Sequence, residues 1–156
     1  MFKSLFKKKQ PNNQDPMLVP LKGKVVDLET VPDPVFAQKM MGDGFAIDPA
    51  DGTILSPVDG EVITIFPTKH AISLKSNKGR EILIHVGLET VQLNGDGFTP
   101  LVMDGQKIKK GQELMKVDFE AIKPRVPSIL TPVIFTNLDE NEKVVVEGEN
   151  MFIKNL

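Results

Sequence analysis

The sequence predicts an all-β protein, an antiparallel β-sandwich or barrel with two related halves and only short helical turns. Asp-Gly or Asn-Gly steps recur at positions 43–44, 51–52, 59–60, 94–95, 96–97 and 104–105. Short runs rich in Val, Ile and Leu lie between these steps. Turn signals about every 8 to 12 residues between short strands are typical of sandwiches and barrels.

Eight strands are predicted in chain order, each an apolar or β-branched run that turn residues bound. They span 24–28, 61–66, 71–74, 81–86, 114–117, 133–135, 144–146 and 152–153. Helix is confined to two places. Pro34–Met41 is predicted to form two turns, with Asp33 as N-cap and Gly42 after the end. A shorter helix is predicted over Asp118–Lys123, where Pro124 stops it.

The two related halves are indicated by an internal repeat. Residues 42–52 and 95–105 both begin with Gly-Asp-Gly-Phe and both end with Asp-Gly, and six of their eleven positions agree. Turn residues are common enough to coincide by chance. Agreement at one spacing over the whole stretch favours two structurally related halves, each a turn that leads into strands.

The chain is predicted to contain a single domain, residues 17–156, after a flexible basic tail and linker, residues 1–16. The tail carries four Lys and one Asp, a net charge of +3, and because the whole chain carries −2, residues 17–156 carry −5. Phe2, Leu5 and Phe6 fall on one face of a helical turn. The tail is therefore either a weak, reversible membrane-surface anchor or a solvated segment, and residues 10–16 form a linker.

Composition excludes several kinds of chemistry. Cysteine is absent, which excludes disulfides, thiol catalysis and cysteine zinc sites and suits a reducing compartment. The N-terminal charge follows the apolar residues, so the segment is not a secretory signal. We therefore expect a cytoplasmic protein that is at most peripheral to the inner face of the membrane. An acidic body argues against nucleic acid as a ligand and favours a basic protein partner.

The chain contains only two histidines, His70 and His85. The segment between them predicts a strand, a turn at Ser76–Gly79 and a second strand. A two- or four-residue loop there pairs residues whose numbers sum to 155, which places His70 opposite His85 on one sheet face. Opposed Cβ atoms lie ~4.5–5.5 Å apart, so the rings would touch. The same register sets Lys75 beside Arg80, an unfavourable like-charge pair that we accept because the turn residues agree.

Two opposed imidazoles indicate a site rather than packing, although isolated histidines in a β-protein are more commonly structural. Thr68 stands two residues before His70. The pair can supply a nucleophile and a hydrogen-bond donor. It can also supply two metal ligands, but His70 and His85 are only half of a tetrahedral zinc shell, and no His-x-His or His-Glu-x-x-His pattern is present.

The strongest sequence signal is a series of short motifs in a fixed order. They are VPDPVF at 31–36, GDG at 42–44, SPVDG at 56–60, FPTKH at 66–70, ILIHVGLETVQLNGDGF at 82–98, GQKIKKG at 105–111 and LTPV at 130–133. Over residues 18–155 the chain closely resembles the glucose-type enzyme IIA family of the bacterial phosphoenolpyruvate-dependent sugar phosphotransferase system. The resemblance implies an antiparallel β-sandwich. Because the chain stops at 156, it also implies a free-standing protein rather than a domain fused to a permease.

The resemblance implies a phosphotransferase that supports sugar uptake. His85 matches the histidine that receives a phosphoryl group through Nε2 from the histidine phosphocarrier protein and passes it to a cysteine on the IIB domain of a glucose-type permease. His70 matches the histidine that hydrogen-bonds this phosphoryl group, and Thr68 matches the threonine of the same site. No cofactor is required and a monomer is expected. The sugar, the permease and any regulatory protein partners stay open.

The resemblance further implies a partner-binding surface around the two histidines. Asp33 and Asp139 match acidic residues near it, and Glu89 stands where the family usually has Asp. The matching apolar residues are Val35, Phe36, Met40, Met41, Phe66, Leu83 and Val91. An apolar patch with an acidic rim suits a partner with an apolar centre and a basic rim.

Two other classes of protein compete with this interpretation. A zinc peptidase of the lysostaphin type would use His70 and His85 with an Asp, but the third histidine is missing; a zinc ion shared at a partner interface stays open. A biotinyl or lipoyl carrier would place a modified Lys on a hairpin tip. The pattern at 105–114 resembles such domains, yet Met115-Lys116-Val117 lies in a predicted strand.

Overall fold

The computed structural model describes residues 16–156 of the chain. The basic tail, with the helical turn predicted at Phe2, Leu5 and Phe6, lies outside the described residues. Within the described part, no helix is long and apolar enough to cross a membrane.

The described residues form thirteen strands, two single-turn α-helices and three 3-10 turns. The strands are β1 Met17–Leu18, β2 Gly23–Asp27, β3 Asp43–Pro49, β4 Thr53–Leu55, β5 Gly60–Ile65, β6 Ala71–Ser76, β7 Glu81–His85, β8 Phe98–Pro100, β9 Lys107–Ile108, β10 Glu113–Val117, β11 Thr131–Phe135, β12 Glu142–Glu147 and β13 Asn150–Asn155. The helices are α1 Pro34–Ala37 and α2 Phe119–Ile122, and the 3-10 turns are Leu28–Thr30, Thr90–Leu93 and Lys123–Arg125.

All eight predicted strands are present, and the all-β class is confirmed. The sequence missed β1, β3, β4, β8 and β9. Four of these are only two or three residues long, too short to show an alternating pattern. The fifth, β3, begins inside the Asp-Gly motif at 43–44 and ends at Pro49, so turn residues conceal it at both ends.

The strands form three antiparallel sheets. The large sheet has the order β9-β5-β6-β7-β11-β3-β2, and the two three-stranded sheets have the orders β4-β10-β8 and β12-β13-β1. Side chains of all three sheets meet in the main core, to which β7 contributes the fully buried Ile82 and Ile84. Alternate residues of the large sheet point to its outer face. On that face Leu83 belongs to a second apolar cluster. Leu28 and Phe36, from the segment between β2 and β3, pack in the same cluster.

Helix α1 is shorter than predicted, with one turn instead of two. Its start is as expected, because the Asp33 carboxylate accepts a hydrogen bond from the backbone N–H of Val35 at 2.9 Å. It ends early because Lys39 adopts the left-handed conformation, with φ 58°. The N–H of Lys39 then bonds the carbonyl of Phe36 and that of Met40 bonds the carbonyl of Val35. This pattern is a Schellman cap.

Helix α2 lies where the sequence predicted it. The Asp118 carboxylate caps it by accepting from the N–H of Ala121 at 3.1 Å. The α-helical part ends at Ile122, and Pro124 lies inside the 3-10 turn that follows rather than stopping the chain there.

The predicted register of the β6–β7 hairpin is wrong by one residue. Ala71, not His70, is opposite His85, and Lys75 is opposite Glu81. The loop has three residues, because Ser76 and Arg80 close it with an N–H to carbonyl bond of 2.8 Å, and Gly79 within it has φ 92°. Three-residue hairpin loops need such a left-handed residue. The observed register also replaces the predicted like-charge pair with one of opposite charge.

The two copies of the internal repeat lead into different sheets. The copy at 42–52 contains β3 of the large sheet, and the copy at 95–105 contains β8 of a three-stranded sheet. Both begin at a glycine of positive φ, 138° at Gly42 and 89° at Gly95. The shared motif nevertheless differs in structure, because Asp43 and Gly44 already belong to β3, whereas Asp96 and Gly97 lie in a turn before β8.

Candidate active site at the histidine pair

The rings of His70 and His85 are in contact on the outer face of the large sheet. Their centroids are 4.9 Å apart and their planes meet at 80°. His85 is the last residue of β7, and His70 immediately precedes β6. The expected ring contact is present although the register that predicted it is wrong, because His70 lies in a loop and not in the strand.

His85 is held by a neighbour in its own chain segment. Its Nδ1 lies 2.8 Å from the backbone carbonyl oxygen of Gly87. A carbonyl can only accept, so Nδ1 carries the proton that it donates. In the neutral ring, Nε2 then has a free lone pair. The ring of Phe36 contacts the same imidazole, with centroids 5.0 Å apart at 58°.

His70 is almost completely buried, with 6% of its surface exposed. Its Nδ1 lies 2.7 Å from the hydroxyl oxygen of Thr68, and its ring meets that of Phe66 edge-on, with centroids 5.5 Å apart. When the Thr68 hydroxyl donates to Nδ1, the neutral ring carries its proton on Nε2. The pair then has one ring that offers a lone pair at Nε2 and one that offers an N–H at Nε2.

Burial keeps both rings neutral at physiological pH. It lowers the pKa of His70 from 6.5 to about 4, and the neighbouring His85 adds to the effect. Burial also lowers the pKa of His85, although the bond to Gly87 and the charge of Asp33 oppose it. A neutral imidazole is a nucleophile, whereas an imidazolium has no free lone pair. The site is therefore ready for nucleophilic attack and not for binding anions by charge.

Four of the seven predicted apolar surface residues are exposed: Val35 40%, Met40 68%, Met41 39% and Val91 52%. Phe66 is half-buried. The prediction of an exposed surface is wrong for Phe36 and Leu83, which are 4% and 5% exposed. They belong to the outer-face cluster, where Phe36 covers the sheet and supports the His85 ring. These two residues can shape the surface but cannot form much of it.

The predicted acidic residues are placed differently from one another. Asp33 caps α1 and acts electrostatically on His85. Glu89 is exposed, with φ 57°, at the start of the 3-10 turn that follows His85. Asp139 lies in the connection between β11 and β12, where its N–H donates to Glu142 at 3.0 Å. Thr136 and Asn137 of that connection both hydrogen-bond the backbone of Glu81, the first residue of β7, so Asp139 lies toward the opposite end of this strand from His85.

The comparisons with known proteins identify the family. The family model described as the phosphoenolpyruvate-dependent sugar phosphotransferase system, EIIA 1, matches residues 16–141. This chain belongs to that family. EIIA components are phosphotransferase relay proteins, so the family supplies the class of reaction.

Individual EIIA proteins are similar over nearly the whole chain. The glucose-specific EIIA component of Bacillus cereus is 50% identical over 144 residues, which cover 92% of this chain and 87% of the relative. That of Staphylococcus epidermidis is 47% identical over 155 residues, covering 99% and 93%. The solved glucose permease IIA from Mycoplasma capricolum superposes with a TM-score of 0.85 at 38% identity, covering 94% and 99%.

The EIIA structure gives no support to either competing class of protein. Within residues 16–156 no group of three or more His, Cys, Asp or Glu side chains stands close enough to hold a metal ion. Lys116 lies inside β10, as the sequence predicted, and its ammonium bonds the Thr53 hydroxyl at 3.0 Å. A carrier lysine would instead project from a hairpin tip.

Two residues of the site escaped the sequence analysis. Gly87 supplies the carbonyl that orients His85, and its φ of 75° bends the chain directly after β7. A glycine two residues after a strand-ending histidine was the available signal. Lys69 has φ 65° immediately before His70. A lysine gives no sign of this conformation, so nothing in the residue type could have shown it.

Proposed function

We propose that this EIIA protein accepts a phosphoryl group on Nε2 of His85 from the histidine phosphocarrier protein and passes it to a cysteine on the IIB domain of a sugar permease. The names of the relatives indicate glucose as the sugar. The observation that carries the proposal is the bond from His85 Nδ1 to the Gly87 carbonyl, which leaves the Nε2 lone pair free. Family membership supports the direction of the relay.

The first transfer forms a bond from His85 Nε2 to phosphorus while the bond from phosphorus to the donor's histidine nitrogen breaks. The electron pair of the broken bond stays with the donor nitrogen. No proton has to leave His85, because Nδ1–H keeps its bond to Gly87 throughout. The phosphorylated ring then carries both substituents and a positive charge, which makes it a good leaving group. Attack by the IIB cysteine sulfur on phosphorus therefore returns His85 to its neutral form.

His70 is proposed to donate from Nε2–H to an oxygen of the phosphoryl group. Its Nδ1 lies 2.7 Å from the Thr68 hydroxyl oxygen, and when that hydroxyl donates, the proton of the neutral ring is on Nε2. Because the pKa of His70 is about 4, the donor is a neutral imidazole and adds no positive charge beside His85. A donor aimed at developing negative charge is worth roughly 2.7–4 kcal/mol in a transition state.

The proposed partners approach the surface around this pair. Exposed Val35, Met40 and Val91 offer an apolar centre, and Asp33 and Glu89 offer negative charge at its edge. Positive charge on the partner would add to the hydrogen bond from His70, because the two neutral histidines bring no positive charge to the phosphoryl oxygens. Methionine side chains adapt to different contact surfaces, which suits one surface that serves a donor and an acceptor in turn.

The proposal requires no cofactor. His70 and His85 can supply two nitrogen ligands to zinc, so any zinc site here would need its remaining ligands from a partner's side chains. A zinc ion bound jointly by this protein and a partner is therefore kept as an alternative. Phosphorylation in an assay without added metal would show that phosphoryl transfer does not depend on such a zinc site.

Intact-mass measurement tests the proposal. The protein is incubated with phosphoenolpyruvate, enzyme I and the histidine phosphocarrier protein, beside a His85→Ala variant and a second EIIA protein that proves the partners active. We expect the wild type to gain one phosphoryl group that is labile in acid and stable in alkali, as expected for a phosphorus–nitrogen bond. His85→Ala should gain none. No gain by the wild type with active partners, or equal gain by the variant, would overturn the proposal.

A further inference from the structure

The contact between the two histidines poses a geometric problem. In the observed register Ala71 is opposite His85, so His70 is opposite Val86, whose N–H donates to the His70 carbonyl at 2.7 Å. Residues directly opposite share a sheet face, and successive residues alternate. Val86 is fully buried in the main core. A regular strand would therefore direct the His70 ring into that core, away from His85.

The loop between β5 and β6 resolves the problem. The N–H of Phe66 bonds the carbonyl of Ala71 at 3.0 Å, which closes a four-residue loop over Pro67–His70. Within it, the N–H of Lys69 bonds the carbonyl of Phe66 at 2.7 Å, and Lys69 then adopts φ 65°. A left-handed residue reverses the local direction of the chain, so the next side chain does not follow the alternation of a strand.

We propose that Lys69 is a positioning residue, whose left-handed backbone turns the side chain of His70 onto the sheet face where His85 lies. Both contacts that orient His70 from its own loop depend on this turn. Thr68, which bonds His70 Nδ1, is separated from it by Lys69 alone, and Phe66, which packs on its ring, begins the same turn. A change of backbone at Lys69 moves His70 relative to both.

The side chain of Lys69 has no comparable role. It is exposed, its methylene groups lie beside Gly95, and within residues 16–156 its ammonium makes no hydrogen bond or ion pair. The contribution of Lys69 is therefore conformational. Residues other than Gly, Asn and Asp adopt the left-handed conformation at a cost in free energy, which is greatest for β-branched residues. The position should tolerate loss of the charge and should not tolerate valine.

The test compares Lys69→Gly, Lys69→Asn and Lys69→Val, all of which remove the same charge. The readout is the imidazole titration of His70 followed by NMR in the protein alone. We expect Gly and Asn to keep the pKa of His70 near the wild-type value of about 4. Val should raise it toward 6.5 by at least about one unit, because the ring leaves its buried position beside His85.

Gly148→Val is the control, since Gly148 has φ 61° in the turn between β12 and β13 and a Cβ added there meets no atom within 4 Å. It should lower stability as Lys69→Val does and leave the titration of His70 unchanged. If Lys69→Val does not fold, Lys69→Ala replaces it and should shift the pKa in the same direction by less. Equal shifts in all the Lys69 variants would assign the effect to the ammonium, and no shift in any would remove the positioning role; either result overturns the proposal.

The consequence for phosphoryl transfer rests on the proposed function. A reacting group displaced by about 1 Å loses roughly 10²-fold in rate, so Lys69→Val should slow transfer to that degree while Lys69→Asn does not. The titration needs no phosphoryl donor. A failure of the relay would therefore leave the NMR result intact, and a failure of the positioning role would appear in the titration even when transfer proceeds.

Discussion

The two ends of the β6–β7 hairpin differ in the charge state of their side chains. At the closed end, Lys75 is opposite Glu81, and both terminal nitrogens of Arg80 bond the carboxylate of Glu142 at 2.9 Å. At the open end, two imidazoles face each other and both lose their charge to burial. Only three residues of β7, 82–84, lie between Glu81 and His85.

The charged pair at the closed end and the neutral histidines at the open end have different consequences for the protein. At the closed end, the hydrogen bonds from Arg80 lower the pKa of Glu142 and keep the pair charged, which fastens the hairpin to β12. At the open end, neutrality preserves a lone pair on His85 and avoids repulsion between two rings in contact. In this hairpin the charged pair joins two parts of the fold, whereas the neutral pair keeps a lone pair on His85.

The largest expected effect comes from removing the donor at the open end. His70→Gln should still accept a phosphoryl group on His85, but onward transfer should fall by roughly 10²–10³-fold, because the aimed Nε2–H is lost. Rapid-mixing measurements of phosphoryl gain and of transfer to the IIB domain separate the two steps. Arg80→Gln, at the closed end, is the control and should transfer at the wild-type rate. If His70→Gln blocked acceptance instead, the two histidines would need their roles exchanged.

The next effect is the pH dependence of stability. Below pH 6.5 the unfolded chain protonates its histidines, while folded His70 stays neutral down to about 4. Folding stability is therefore lost as pH falls through this range, by about 2 kcal/mol between about pH 7.5 and about pH 5 for His70 alone. Urea unfolding of wild type and His70→Gln measures it. A variant that loses as much stability as the wild type would contradict the assigned burial of His70.

The closed end responds in a different pH range. Glu142 has its pKa lowered from 4.5, so its stabilising contribution is present above that pH and is lost only as pH falls through the folded-state value. At about pH 5 the acid loss should thus come from the histidine end, and Arg80→Ala should leave that loss unchanged.

Breaking the charged pair itself should have a smaller effect. Arg80→Ala should destabilise the protein by about 1–2 kcal/mol, because Glu142 loses both charge-assisted hydrogen bonds while its side chain is only 13% exposed. Arg80→Ala, Glu142→Ala and the double variant form a thermodynamic cycle in urea. A coupling energy of zero in this cycle would show that the pair does not fasten the hairpin.

The smallest effect concerns the surface beside the open end. Met40 and Met103 are 68% and 72% exposed, and Met40 is one of the residues predicted to form the partner surface, whereas Met103 is not. Met40→Ala should weaken association with the phosphocarrier protein by about 1 kcal/mol, and Met103→Ala should not. Neither should change the melting temperature. Isothermal titration calorimetry with the phosphocarrier protein measures the affinity of both variants. Equal affinities of the two variants would show that Met40 is not part of the contact surface.

Local signals account for much of what the sequence predicted correctly. Regular β-runs such as Glu81–His85 are visible because alternation and turn residues act within a few positions. The caps Asp33 and Asp118 are equally local, since each bonds an N–H only two or three residues ahead. Ordered motifs around His70 and His85 identified the family, because they combine many positions that no single strand requires.

Tertiary structure decided the features that depend on competition between distant groups. The register of β6–β7 follows from a left-handed Gly79 and from Lys75 meeting Glu81, and the turn residues alone allowed another loop length. Burial of Phe36 follows from its packing onto the outer face of a sheet whose strand order no local pattern contains.

The properties of the histidine site also fall into those that the sequence determined and those that the fold determined. The sequence by itself determined that imidazole chemistry must use His70 and His85, since the chain has no others. Only the fold decided how they meet, which nitrogen of His85 is free and why both rings are neutral. Those properties come from the Gly87 carbonyl, the turn at Lys69 and the exclusion of water, and each exists only once the surrounding chain is packed.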